Sequence, residues 1–418
     1  MRLDRRALLA GLPAAAFAPA AFGQTAAKVA VIGGGFGGAT AARTLKRIAP
    51  ELDVTLIEAN AEYLACPFSN LVLGGLRDMA GQRFAYAGPA RDGVHLVQAR
   101  AEAVDAAAKT ITLADGAALS YDRLILSPGV DIRWGALAGY DEAAAEPMPH
   151  AWKAGPQTAL LRRQLNAMAD GGLVVMTAPR APYRCPPGPY ERASLIAHYL
   201  KTEKPASKLL ILDAKDDFSK KPLFLQAWSE LYPDTLEWRG ASADGRVSRV
   251  DPQTMTIETD FEAFQADVAN IIPPQKASAI AERAGVADAT GWCPIDAVSF
   301  ESTLQPGVHV IGDATIAAPM PKSAFSANLQ GKICAIQVAR LLADLPAEPT
   351  LLANTCYSFV APDAAVSVSG VYANGAGAFA EIPGAGGVSP LIPEPGGRAE
   401  EAAQARDWYA AITAEAFG

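Results

Sequence analysis

Cysteines are the residues of this 418-residue chain most able to do redox or nucleophilic chemistry, and there are five: Cys66, Cys185, Cys293, Cys334 and Cys356. An odd number leaves at least one thiol without an internal cysteine partner. The four histidines are scattered and none stands at ligand spacing from a cysteine, so no metal centre is expected. Cys66, in Tyr63-Leu64-Ala65-Cys66-Pro67-Phe68, reads on its own as a small buried hydrophobe. Cys185 lies in a proline-filled stretch, 179–189, that holds it on a stiff loop. Cys293, in Gly291-Trp292-Cys293-Pro294, and Cys334 carry no assignable role, and buried thiols or a second disulfide both fit them.

The second chemical signal is a phosphate cradle. Gly33-x-Gly35-x-x-Gly38 follows the apolar run Val29 to Ile32 and opens a helix that includes Phe36, and Glu58 closes the next apolar run. Gly33 permits a tight turn, Gly35 lets a pyrophosphate approach the backbone, and Gly38 allows the helix to pack closely on the strand. The helix N-terminus favours the phosphate charge, and a carboxylate at Glu58 suits ribose hydroxyls while disfavouring a 2′-phosphate. The dinucleotide is read as FAD from two further segments. Thr303 to Asp313 gives a threonine, an apolar strand and Gly312-Asp313, an arrangement found in FAD-dependent oxidoreductases with two dinucleotide-type domains. There the aspartate accepts a hydrogen bond from a ribityl hydroxyl, a group NAD lacks. Ser127-Pro128-Gly129, after the strand Leu124 to Leu126, resembles the motif that ends the first FAD segment in the same superfamily.

These residues need a doubly wound α/β frame to position them. Period and breakers predict strands at 29–32, 54–57, 121–126, 173–176, 209–212 and, within 303–313, at 309–311, with helices at 39–49, 158–168, 190–201, 326–342 and 399–416. Segments 94–98 and 110–113 read as a β-meander. The second βαβ-like module lacks a glycine turn: after Leu173 to Met176 come residues 179–189, whose prolines remove the N–H donors a pyrophosphate would need. NAD(P)H is therefore not an expected partner. Glu191 opens the following helix, where an acid ordinarily complements the helix dipole.

The net charge is −8, which gives no electrostatic reason to expect a nucleic-acid partner; the acidic excess reads as solubility or as a docking patch for a cationic protein. No apolar run in the body of the chain is long enough to span a membrane. Residues 1–24 read as a targeting segment. Arg2, Arg5 and Arg6 are followed by the apolar stretch Ala7 to Phe22, and the Arg5-Arg6 pair points to the twin-arginine route, with a general secretory signal as the alternative. Removing residues 1–23 takes away Arg2, Arg5, Arg6 and Asp4, leaving 33 basic and 43 acidic residues and a charge of −10. The expected location is the periplasm.

Four segments together resemble the flavoprotein subunit of flavocytochrome c sulfide dehydrogenase: Ala65-Cys66-Pro67, the run Ala181 to Arg192, Pro321-Lys322-Ser323 with Ser326-Ala327, and Asn354-Thr355-Cys356. The resemblance implies FAD held covalently through Cys66 and a disulfide between Cys185 and Cys356 facing the flavin, against which a purely structural staple is the competing reading. It implies Glu191 as the active-site acid and an aromatic near the flavin at Trp408, a packing residue more than a participant. Lys322 is placed either at the pyrimidine edge of the flavin or in solvent. A c-type cytochrome is the implied partner; the chain contains no Cys-x-x-Cys-His of its own. The expected architecture is a discontinuous Rossmann-like FAD domain at 25–135 and 278–350. A second Rossmann-like domain without a nucleotide fingerprint is expected at 136–277, and a C-terminal α+β interface domain at 351–418. The implied activity is oxidation of sulfide to sulfur or polysulfide. A sulfide:quinone oxidoreductase, or an exported FAD protein that reactivates a sulfur-oxidising partner, are the alternatives.

Overall fold

A computed structural model describes residues 26–375 and 377–418; the targeting segment expected at 1–24 lies outside the described residues. Its first sheet has five parallel strands in the spatial order Val308–Val310, Arg123–Leu126, Lys28–Ile32, Asp53–Glu58, His95–Gln98. Central parallel strands are covered on both faces, which is why Val29 to Ile32 and Leu124 to Leu126 are continuous apolar runs. Helix Phe36–Ile48 packs on one face beside helix Ala324–Leu342, whose N-terminus is capped by the Ser323 hydroxyl accepting the Ser326 N–H. The glycine turn fits this sheet closely. Gly33 has φ of +96°, and a Cβ there would lie 2.3 Å from the Ser127 carbonyl oxygen, while a Cβ on Gly38 would lie 1.9 Å from that of Gly33.

One expectation is corrected. His95–Gln98 is the edge of the parallel sheet, and the meander is formed by Ala101–Asp105, Thr110–Leu113 and Ala118–Ser120. Its four residues are mostly exposed, so the segment lacks the apolar run that marks a central parallel strand, and its sequence does not separate the two settings. The strand expected at His309 to Ile311, within the segment 303–313, is Val308–Val310, bounded by Gly307 and Gly312, whose φ values of +77° and +76° no strand accommodates.

The second sheet is also parallel: Leu236–Arg239, Lys208–Asp213, Leu173–Ala178, Val268–Asn270. Asp213 ends its second strand, where Glu58 ends the corresponding strand of the first sheet. It is fully buried and fully engaged: Oδ2 accepts from the Tyr190 hydroxyl at 2.6 Å and Trp238 Nε1 at 3.1 Å, and Oδ1 accepts from Lys215 Nζ at 2.6 Å. With that acid locked into helix Gly188–Glu203 and no glycine turn before it, this sheet presents no ribose or pyrophosphate site.

The C-terminal part is a long antiparallel hairpin, Leu351–Ala361 with Ala364–Ala373, and the closing helix Gly397–Phe417. The hairpin was not anticipated from the sequence. The closing helix buries Ala402, Ala405, Tyr409, Ile412, Ala416 and Phe417 against the rest of the protein. No described helix is long and apolar enough to cross a membrane.

Candidate active site

A cavity of about 770 Å³ opens at the carboxyl ends of the first sheet, where ligands bind in parallel α/β sheets. Its floor comes from strand ends and the turns after them: Gly33, Gly35 and Phe36, then Glu58, Ser127, Gly312 and Asp313. Its opposite wall is assembled from four other places. Cys66 comes from the turn after the second strand, Cys185 and Glu191 from the middle sheet's loop and helix, Cys356 from the hairpin, and Trp408 from the closing helix. Gly38 stands behind the floor, as its close-packing role requires.

The floor fits a flavin dinucleotide. Helix Phe36–Ile48 begins on the cavity wall with no side chain capping its N-terminus, which leaves N–H donors and the positive end of the dipole for an anion. Glu58 is held rigid at the rim: Oε2 accepts from Gly34 N–H at 2.8 Å, and Oε1 accepts from the N–H and side-chain amide of Asn60, each at 3.0 Å. Asp313 has a buried Oδ1 without a hydrogen-bond partner, and burial pushes its carboxyl above the usual range. A buried orphan acceptor costs about 1–3 kcal/mol, which a hydroxyl donor from a polyol chain relieves.

Lys322 is held by its own neighbours in the protein. Its ammonium donates to the carbonyls of Asp313 (2.9 Å) and Thr315 (2.5 Å), and lies 3.9 Å from the centre of the Trp292 ring. Two carbonyl acceptors and an aromatic face hold it beneath the site, off the cavity wall and only partly exposed. Burial lowers its pKa to about 8.

All five cysteines are free thiols in the structure. Cys293 and Cys334 are fully buried away from the cavity. Cys66 points its sulfur at the Trp152 carbonyl, 3.8 Å away. Cys185 adopts φ of +56°, a left-handed conformation costing a residue with a Cβ about 1–2 kcal/mol, and its N–H donates to the Lys322 carbonyl at 2.7 Å. Burial pushes both Cys185 and Cys356 thiols up, and Cys356 opposes ionisation of Cys185.

Glu191 closes the wall between the two thiols' elements. Its Oε1 accepts from the Phe359 N–H on the hairpin at 3.0 Å and its Oε2 from the Asn70 amide at 2.8 Å, while burial raises its pKa. Arg192, which the sequence did not single out, is fully buried next to it. It donates to Asn70 Oδ1, the carbonyls of His150 and Ala151, and Asn270 Oδ1 at 2.7–3.0 Å, and its guanidinium lies 4.9 Å from the Trp152 ring centre. A charged residue directly before the mostly apolar run 193–197 was the available signal. Replacing it with methionine leaves three buried acceptors, Asn70 Oδ1, Asn270 Oδ1 and the Ala151 carbonyl, without the donor they have here, so Arg192→Met should lower stability by about 3 kcal/mol or more, read as a lower urea midpoint. Trp408 stacks on Phe325, with ring centres 6.3 Å apart and planes 8° from parallel.

Comparison with known proteins agrees with this architecture. Residues 27–150 match the family model described as pyridine nucleotide-disulphide oxidoreductase. The known crystal structure of sulfide:quinone oxidoreductase from Aquifex aeolicus superposes with a TM-score of 0.71 at 16% identity, covering 93% of this chain and 92% of that one. The fold and site therefore define a flavoprotein oxidoreductase of the pyridine nucleotide-disulphide class, with FAD as its cofactor.

Residues 158–273 match the central domain of the sulfide dehydrogenase [flavocytochrome c] flavoprotein chain, and residues 348–417 match the flavocytochrome c sulphide dehydrogenase flavin-binding domain. The chain belongs to that sulfide-oxidising flavoprotein family. A sequence of that flavoprotein chain from Chlorobaculum thiosulfatiphilum is 49% identical over 45 residues, 11% of this chain and 94% of the other. Mitochondrial sulfide:quinone oxidoreductase from Mus musculus is 24% identical over 327 residues, 73% of this chain and 69% of its own length.

Proposed function

We propose that this protein is exported to the periplasm and oxidises sulfide there, passing electrons through FAD to a c-type cytochrome. The observation that carries the reading is the cavity wall: Cys185, Cys356 and Glu191, from separate elements, face one space that also carries the dinucleotide turn. In the oxidised enzyme Cys185 and Cys356 are joined. Hydrosulfide attacks one sulfur, a new S–S bond forms, the old one breaks, and the second cysteine leaves as thiolate. Glu191 takes the hydrosulfide proton, the form its buried carboxyl favours. A second hydrosulfide removes the outer sulfur as polysulfide, leaving two reduced cysteines. Bound flavin supplies the two-electron acceptor through which the pair returns to the disulfide.

The cytochrome reading is supported by the closing helix, whose apolar residues are spent on the protein interior and not on a membrane-facing side. A quinone acceptor is the second reading. It is favoured by the relatives of that name and by the exposed tip Leu391-Ile392, where Ile392 is 87% exposed. Purified holoprotein given sulfide should reduce a c-type cytochrome, with a rate that falls as salt rises, because the chain is acidic. Efficient reduction of a soluble quinone analogue with no activity toward any c-type cytochrome would establish the second reading instead.

Cys66 is the residue assigned to covalent attachment of the flavin. On acid precipitation the wild-type pellet should stay yellow, while Cys66→Ala releases all its flavin to the supernatant. A colourless wild-type pellet contradicts the attachment.

A further inference from the structure

The motif Asn354-Thr355-Cys356 contains a residue that the reaction above leaves without a role, and a buried lysine lies against the same strand. Asn354 is 2% exposed, and its side-chain amide donates to the Cys356 sulfur at 3.2 Å. That orientation is fixed. Asn354 Oδ1 accepts from the Ser323 hydroxyl at 2.5 Å and the Ser326 hydroxyl at 3.1 Å, so only the NH₂ end is left to face the sulfur. Ser323 is itself fixed as the helix cap. Lys220 reaches the same strand from the middle of the chain. Its ammonium donates to the carbonyl of Cys356 (2.8 Å), the Ser358 hydroxyl (2.8 Å) and the Val366 carbonyl (3.2 Å), and the residue is 7% exposed.

We propose that Asn354 and Lys220 form an anion-holding site for the sulfur at position 356, so that negative charge in the reduced pair resides on Cys356 in preference to Cys185. The proposal rests on the reading of the two cysteines as the reacting pair. Asn354 touches the reacting sulfur; Lys220 is a positioning residue, acting through the strand and through its charge. A buried thiolate without donors is costly, and an amide N–H together with a nearby cation is what lowers that cost. Burial raises both thiols, and Lys220 is the first group opposing it at Cys356, with Asn354 next. At Cys185 the opposing cations are Arg184 and, more weakly, Lys220, and no side chain donates to its sulfur. The other titratable groups acting on Lys220 are Glu191, Cys185 and Glu401, each of which favours its charged form. Lys220 is itself lowered to about 8 by burial, so the site weakens as pH rises above that value and the ammonium loses its proton.

The test uses the holoprotein, reduced anaerobically and freed of reductant. Alkylation by iodoacetamide is followed against pH at each cysteine by peptide mass spectrometry, because alkylation tracks the thiolate fraction. At neutral pH, Lys220→Met should slow reaction at Cys356 about tenfold or more while changing Cys185 less, and Lys220→Arg should restore most of the rate. Asn354→Asp keeps the acceptor for both serine hydroxyls, replaces the donor by a carboxylate, and should slow Cys356 similarly. If Lys220→Met does not fold, Asn354→Asp decides the matter. An unchanged Cys356 profile, or equal shifts at both cysteines, overturns the proposal. Sulfide-dependent flavin reduction is recorded on the same samples. A wild type inert to sulfide that keeps this order of thiol reactivity sinks the proposed function and leaves the anion site standing.

Discussion

Cys185→Ser and Cys356→Ser proteins, each carrying a full complement of FAD, should fail to reduce that FAD when mixed anaerobically with sulfide. The expected loss is about a thousandfold or more in each, the scale seen when a nucleophile acting within a unit is removed. A disulfide serving only as a staple predicts something else: lower stability, but a near-normal rate in whatever remains folded. Both thiols sit on the cavity wall, and neither serine disturbs the fingerprint on the opposite side, so FAD retention and loss of chemistry are separable. Wild-type reduction rates in either variant would show that sulfide reaches the flavin without this pair. The same assay reports on Glu191. Because burial raises its pKa, its carboxylate forms only above the ordinary range for glutamate, and the rate should climb with pH along that limb. Glu191→Gln should flatten the limb. A profile identical to wild type removes Glu191 from the proton path.

Gly33→Ala should yield a protein that binds almost no FAD. Two costs add at this position: a φ of +96° that a Cβ tolerates poorly, and a contact of 2.3 Å with the backbone carbonyl of Ser127, which cannot swing away as a side chain would. The first is worth about 1–2 kcal/mol. The second forces the turn off the strand and should bring the total to several kcal/mol. Gly116→Ala is the matched control, since Gly116 lies away from the cavity and has φ of +86° but nothing within 4 Å of a Cβ, so it meets only the first cost. Flavin-to-protein absorbance ratio and thermal midpoint measure both. An Gly33→Ala protein as yellow and as stable as the control would contradict the role given to this turn.

The glycine turn and Glu58, the first part of the dinucleotide floor, were legible in the sequence because they are local. A turn, a helix start and an acid at a strand end lie within a few tens of residues, and each has its own steric or electrostatic requirement. The opposite wall was legible only through resemblance, since nothing in the spacing of Cys66, Cys185, Glu191 and Cys356 brings them together without the fold. Asn70, Arg192 and Lys220 were missed for a related reason: each is a polar residue satisfied by carbonyls and amides far away in the chain. The hairpin 351–373 was hidden by its own chemistry. Leu352, Asn354, Cys356 and Ser358 alternate inward as a strand requires, but two of the four are polar, so the hydrophobic period that betrays a strand is absent. The sequence left Lys322 open between the flavin edge and solvent, because the two carbonyls and the Trp292 ring that hold it come together only in the fold.

The sheet that carries the cofactor turn is completed by Val308–Val310, and the cavity is closed by Cys356 and Trp408 from the last quarter of the chain. A ribosome that has released only the first three hundred residues has therefore made the whole glycine fingerprint but neither the edge strand nor the part of the far wall that carries Cys356 and Trp408. Contacts of such long sequence separation form late. Cofactor loading is thus a property of the finished polypeptide and not of the emerging one, and a chain truncated anywhere before the hairpin carries the signature of a flavoprotein without the means to enclose a flavin.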